Sequence, residues 1–451
     1  MPEKAQIIVD NPPYTFGSAI NSFANSLNAL RDFVALVDSL LDEQQRKLFQ
    51  THEKEILTLG LGLNALLKEP MLSDEEADTI KRHVDPEVKI EVTGENSVMI
   101  ALDKIGTKEG YETAFKAITR GGTHKSLLYR SALISLISSV EWFLSQILHQ
   151  HLQQHPDASG IKDKLLSLEE LKSFNSIDDA RKYLVDLRID EIMWGSFEDW
   201  IKYLTEKVKL SLGYIKPARE QLIEIFQRRN VVVHNNGIAN STYLYKVPPD
   251  LREGVSLGEQ LPISPEYLSK GIDLLESNFI LIAAELWKQL EPENASRGDT
   301  LTNISFERLT QEKWHVAEGL SFFIKNDKAL PDRNQTIGLL NYWQALKWQD
   351  RFAEVKESVT DADFSAKDEI YQLARFALLE DNPKFFNLLP QALRNKKLTD
   401  EELSTWPIFR GIRKLTEYSE FIREHGKEFG FEEKSENTGN TGTVAEEDVA
   451  N

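Results

Sequence analysis

Phe226-Gln227-Arg228-Arg229-Asn230-Val231-Val232-Val233-His234-Asn235-Asn236-Gly237 is the run in this chain that reads least like ordinary packing. On a helical wheel with Leu222 at the origin and about 100° per residue, Phe226 falls at about 40°, Val233 at about 20°, Ile225 at about 300° and Val232 at about 280°. Arg229, at about 340°, lies in the middle of that apolar arc. Asn230 and His234 share its edge as i,i+4 neighbours. Pro217 suits a first helical position and Gly237 supplies a stop, so a helix is expected over 217–233. Three successive valines also fit a strand entering an Asn-Asn-Gly turn, which would leave His234 on the surface. The absence of a breaker before Gly237 favours the helix.

A guanidinium aimed into a helical bundle is costly unless an anion meets it, either a carboxylate of the protein or a phosphate of a ligand. One carboxylate suggests itself. Glu141 is the sole acidic residue between Thr123 and Asp157, and helical spacing sets it beside Ile134, Ile137 and Leu148. The expected ion pair joins Glu141 to Arg229, or to Arg228.

Outward from this run, residues 111–292 read as almost wholly helical, with helices expected over 127–152, 177–192, 198–210, 217–233 and 265–290. Ser264 and Pro265 mark the start of the last one. The irregular stretch 235–263 is long for a loop inside a compact helical unit, a length often tied to function. Residues 1–110 form an N-terminal segment with helices at 27–41 and 56–67 and a β-hairpin of 88–92 with 98–102 around Thr93-Gly94-Glu95-Asn96. Residues 300–425 hold further helix pairs. There Ala345-Leu346 and Phe352 are echoed about 33 residues on by Ala377-Leu378 and Phe385, a spacing that resembles tetratricopeptide-like repeats. Residues 426–451, poor in large apolar side chains, are expected to be a disordered acidic tail. The fold class is therefore mainly α: an antiparallel helical bundle between an N-terminal helical and hairpin segment and a C-terminal repeat-like helical domain.

The 451 residues carry 53 Lys and Arg against 72 Asp and Glu, a net charge of −19, which argues against a protein that coats duplex nucleic acid or anionic membrane. The excess acid lies mostly outside the bundle, because residues 111–290 hold 21 basic and 23 acidic residues. A local phosphate site remains compatible with that balance. With no cysteine, thiolate metal sites, disulfides and cysteine nucleophiles are excluded. The opening Met1-Pro2-Glu3-Lys4 lacks the basic and apolar regions of a secretory leader, and the apolar run 131–148 carries Glu141, Gln146 and several serines. It reads as a buried helix of a soluble, cytoplasmic protein, with no membrane partner.

Arg229-Asn230-Val231-Val232-Val233-His234 resembles the R-[polar]-x3-H form of the R-x4–6-H motif of the HEPN superfamily. The Asn235-Asn236-Gly237 that follows, the long apolar helix with an internal acid and the closing helix after Ser264-Pro265 are similar to the arrangement of that family. The resemblance covers roughly 111–292. It implies a metal-independent endoribonuclease, without cofactor, of the kind found in bacterial toxins, antiphage defence and RNA processing, with an active site composed at a homodimer interface. Carried onto this chain, His234 would be the catalytic histidine, Arg229 the phosphate-binding residue that stabilises the transition state, and Asn230 the adjacent polar residue. Glu141 and Arg228 would support them. Attack of a ribose 2′-OH on its own 3′-phosphate needs a base near neutral pKa and a fixed cation, which imidazole and guanidinium supply. Residues i and i+5 of one helix stand about 140° apart, so a two-fold pair of helices would bring both groups to one phosphate.

A purely structural reading competes with this one. In it the Arg–Glu pair is packing, and His234 and Asn235 satisfy the last helical carbonyls. The corresponding function is a non-catalytic, dimerising scaffold whose C-terminal helices bind a protein or peptide partner. Other constellations read as structure. His149, His151 and His155 suit a solvated helix end better than a metal site, since no acidic ligand is near in sequence before Asp157. Ser73 and Glu76 form a capping box. Gly121-Gly122-Thr123 lacks P-loop spacing and reads as a hinge before the long helix. Trp314, Trp343, Trp348 and Trp406 occupy core positions in the C-terminal helices.

Overall fold

The computed structural model describes residues 15–67, 71–84, 89–94, 97–101, 108–155, 166–252 and 254–429. The chain forms two compact units, Met1–Pro292 and Glu293–Asn451. Both are helical, and among the described residues the one sheet is a two-stranded hairpin.

In the first unit, α1 (Phe16–Thr51), α2 (Glu53–Leu66) and α3 (Asp74–Val84) precede β1 (Lys89–Gly94) and β2 (Ser97–Ala101). The strands pair antiparallel with Lys89 opposite Ala101 and Val92 opposite Val98, which is the expected hairpin. The helices that follow are α4 (Lys108–Gln154), α5 (Leu168–Ser173), α6 (Ile177–Met193), α7 (Phe197–Glu206), α8 (Arg219–Asn235), α9 (Ser241–Lys246) and α10 (Pro265–Leu290). Start signals act locally as their chemistry dictates. Ser73 and Glu76 exchange hydrogen bonds, and the Ser264 hydroxyl accepts from the Tyr267 amide at 3.1 Å with Pro265 leading α10.

The spine of this unit is α4, 47 residues long and well beyond the 127–152 expected from its apolar periodicity. Leu133, Leu136, Ile137, Val140, Phe143, Leu144, Ile147 and Leu148 have at most 1% of their surface exposed. By length and composition alone α4 could cross a membrane, and half of its most apolar window is buried within the structure. Gly121 and Gly122 lie inside α4, so the expected hinge is not there. A Cβ on Gly121 would stand 2.1 Å from Nε2 of Gln45, so the amide end of that α1 side chain occupies the space beside the glycine.

The second unit comprises α11 (Ser296–Thr310), α12 (Trp314–Asn326), α13 (Asp332–Lys347), α14 (Lys356–Asp361), α15 (Glu369–Leu379), α16 (Asn382–Arg394), α17 (Asp400–Thr405) and α18 (Thr416–Phe429). Trp343 and Trp406 are buried in its core, while Trp314 and Trp348 are half-buried. Ala345-Leu346 and Ala377-Leu378 each fall in the last turn of a helix. Their partners in the echo differ: Phe352 sits in a short 3-10 turn and Phe385 inside α16. Of the tail expected from residue 426, residues 426–429 belong to α18, and 430–451 lie outside the described residues.

Candidate functional site

A 3-10 turn at Gly213–Ala218 holds Pro217, and α8 begins two residues after that proline, at Arg219. The valines continue the helix, which overturns the strand alternative. At the far end Asn236 takes the left-handed conformation at φ 50° and Gly237 follows at φ 80°. The Gly237 amide donates to the Val231 carbonyl at 3.0 Å, closing the last turn. Gly237 therefore stops the helix as expected, with the positive-φ backbone shared with Asn236.

Arg229 meets Glu141 as anticipated. Its Nη2 donates to Oε1 and Oε2 of Glu141 at 2.9 and 3.1 Å, and its Nη1 donates to Oδ1 of Asn230 at 3.2 Å. The pair sits at the rim of the bundle, because the two side chains keep 22% and 33% of their surface exposed. Burial raises the Glu141 carboxyl above the usual carboxylate range, against the pull of Arg229. Asn230 is half-buried and His234 is exposed at the end of α8. Val233, assigned to the apolar arc by the wheel, is 47% exposed.

The arginine in the interior is Arg228, with none of its surface exposed, and not Arg229. Its Nε donates to Oε1 of Glu224 at 2.6 Å, Nη1 donates to the Pro262 carbonyl, and the guanidinium lies 4.1 Å from the centroid of the Tyr267 ring. The hydroxyls of Tyr243 and Tyr267 donate to Glu224 at 2.8 and 2.7 Å. Burial alone would favour loss of the Arg228 proton, but Tyr267 and Glu224 outweigh it and raise its pKa. Both phenols are pushed up by burial and by the Glu224 charge, so they remain donors.

The wheel failed at Arg228 because a wheel for α8 alone does not show what packs against each side: Tyr267 of α10, Tyr243 of α9 and the Pro262 carbonyl enclose the guanidinium. Residues 237–252 and 254–263 fold across this face of α8. An antiparallel bridge joins Ile238 to Gln260, and Val231, Ala239, Tyr243, Val247 and Leu261 make a small core beneath the segment. The long irregular stretch is thus an organised cap containing α9. Sequence reasoning missed Glu224, Tyr243 and Tyr267; the i,i+4 spacing of Glu224 and Arg228 was the one available signal. It also missed Arg130 on α4, whose Nη1 donates to Oδ1 of Asn236 at 2.9 Å.

The histidines at the end of α4 do not form a solvated cluster. His155 is exposed, but His151 keeps only 3% of its surface, and neither ring nitrogen has a hydrogen-bond partner. Burial, and then the neighbouring His155, lower its pKa to about 4. His149 lies 3.6 Å from Asp186. Among the described residues no group of three or more His, Asp or Glu side chains is arranged to hold a metal ion.

Comparison of the chain with protein-family models, with curated proteins and with solved structures returned no match.

Proposed function

We propose that the chain is a metal-independent endoribonuclease of the HEPN type, acting in the cytoplasm in bacterial toxin or antiphage systems or in RNA processing. The observation that carries this reading is the end of α8. An exposed imidazole, His234, stands on a well-capped helix end, and one turn earlier Arg229 is held by Glu141 with Asn230 against it. In the reaction His234 takes the proton of a ribose 2′-OH. The freed oxygen attacks the adjacent phosphorus, the P–O5′ bond breaks, and the leaving oxygen takes a proton from solvent. Arg229 stabilises the charge that grows on the phosphorane, and Glu141 keeps the guanidinium in place before substrate arrives. The need for a 2′-OH restricts cleavage to RNA.

A homodimer is part of this reading, because the angle between Arg229 and His234 around one helix calls for a second copy. It is supported by apolar surface next to both site elements: Trp142, adjacent to Glu141, is 43% exposed, as is Val233, one turn from Arg229, at 47%. The helices of the second unit would then recruit a protein partner. A non-catalytic scaffold built on the same bundle is the second reading, favoured by the Arg228–Glu224 cluster, whose chemistry is fully used in packing.

The test is incubation of the purified chain with total RNA in EDTA, beside His234→Ala and Arg229→Ala. Cleavage lost in both variants supports the enzyme. Identical behaviour of all three proteins removes it.

A further inference from the structure

We propose that Arg130 is a second phosphate ligand of this site, taking a backbone phosphodiester of single-stranded RNA next to the one at which His234 acts. The proposal rests on the ribonuclease reading and adds to it the residue that anchors substrate before reaction.

Three arginines surround the C-terminal half of α8, and their charges are balanced differently. Arg228 is enclosed and paired with Glu224, and Arg229 is paired with Glu141. The charge of Arg228 is used inside the fold, and that of Arg229 is shared with Glu141, which holds the guanidinium for the reacting phosphate. Arg130 is only partly buried, and its hydrogen-bond partner is the neutral amide oxygen of Asn236 at 2.9 Å. Among the described residues no carboxylate lies within 4.0 Å of it. Exchanging a neutral acceptor for a phosphate oxygen gains a charge-assisted, bidentate contact, which is the stronger kind.

Its place is also defined by the fold. Arg130 and Glu141 are eleven residues apart on α4, about 20° around the helix, so one face of α4 offers Arg130 to the end of α8 and Glu141 to its middle. Asn236 and Gly237, both at positive φ, turn the chain against the guanidinium. A Cβ on Gly237 would come to 2.3 Å from Nε2 of Gln260 and 3.1 Å from Nη2 of Arg130, so the glycine leaves room for both side-chain ends as well as supplying the turn. The guanidinium is thereby held two residues beyond His234. The near-neutral charge of residues 111–290 favours a single strand gripped at few phosphates over a duplex held by a broad basic face.

The experiment measures binding apart from cleavage. Fluorescence anisotropy of a labelled single-stranded RNA with 2′-O-methyl riboses, which has no attacking hydroxyl, is followed across a salt series for the full chain, Arg130→Gln and Arg130→Lys. Arg130→Gln keeps an N–H donor for Asn236 but loses the charge; it is expected to bind about ten-fold more weakly, with a salt slope shallower by about 0.7. Arg130→Lys should keep the wild-type slope. A merely structural arginine would move the Gln and Lys variants alike. Wild-type affinity and slope in Arg130→Gln overturn the proposal while ordinary RNA is still cleaved. Absence of both binding and cleavage in the wild type overturns the ribonuclease reading itself.

Discussion

Replacing Arg228 with alanine strips a buried carboxylate of its counter-charge. Glu224 is 4% exposed and would retain only the hydroxyls of Tyr243 and Tyr267, while the Pro262 carbonyl would lose its donor. Breaking a buried pair from one side costs about 3–5 kcal/mol. For a unit of this size each kcal/mol moves the melting temperature by about 2–4 °C, so the first unit should melt about 6–20 °C lower. Arg229→Ala removes a pair that is 22% and 33% exposed, a contact of about 1 kcal/mol or less after solvent screening, and should shift melting by no more than about 4 °C. Calorimetry on the full chain separates the two, and the double variant Arg228→Met with Glu224→Leu should recover much of the loss because no charge is left buried. If Arg228→Ala melts like the wild type, or Arg229→Ala falls as far as Arg228→Ala, the division between an internal clamp and a surface site is wrong.

His151 gives the acid side of the stability curve. Because its folded pKa is lowered from 6.5 to about 4, the unfolded chain binds the proton more tightly, and stability present above pH 6.5 is lost as pH falls towards 4. The full effect is about 3 kcal/mol; urea unfolding at pH 7 and 4.5 should show a smaller drop in His151→Leu than in the wild type, and equal drops would contradict the assignment. The dimeric site is tested by mixing Arg229→Ala with His234→Ala, each inactive alone. Free exchange of subunits should restore about a quarter of wild-type cleavage, since half the dimers are mixed and each holds one intact site; no recovery in verified mixed dimers would place both groups within one subunit.

What the sequence showed of this site was what its periodicity could carry. Glu141 stood out because a single acid on an apolar helical face has few innocent explanations, and its contact with Arg229 follows. The hairpin and the start of α10 were equally local, written in Thr93-Gly94 and in Ser264-Pro265. Arg228 was misjudged because a wheel drawn for α8 alone does not show what packs against each side, and here Tyr267 of α10 acts together with the cap that carries Tyr243 and Pro262. The reach of α4 was missed because its first turns are polar, and because two glycines that cost about 1 kcal/mol each in a helix looked like a break. Packing of α4 along α1 overrides that preference. Arg130 carried no sequence signal at all, since its partner lies 106 residues away at the cap of another helix.

Chemistry at His234 is reported most directly by the ends of the RNA fragments. Mass spectrometry of products made in EDTA should find 2′,3′-cyclic phosphate and 5′-hydroxyl ends with the wild type and no such fragments with His234→Ala. Fragments ending in 3′-hydroxyl and 5′-phosphate, or equal fragmentation by the two proteins, would contradict it.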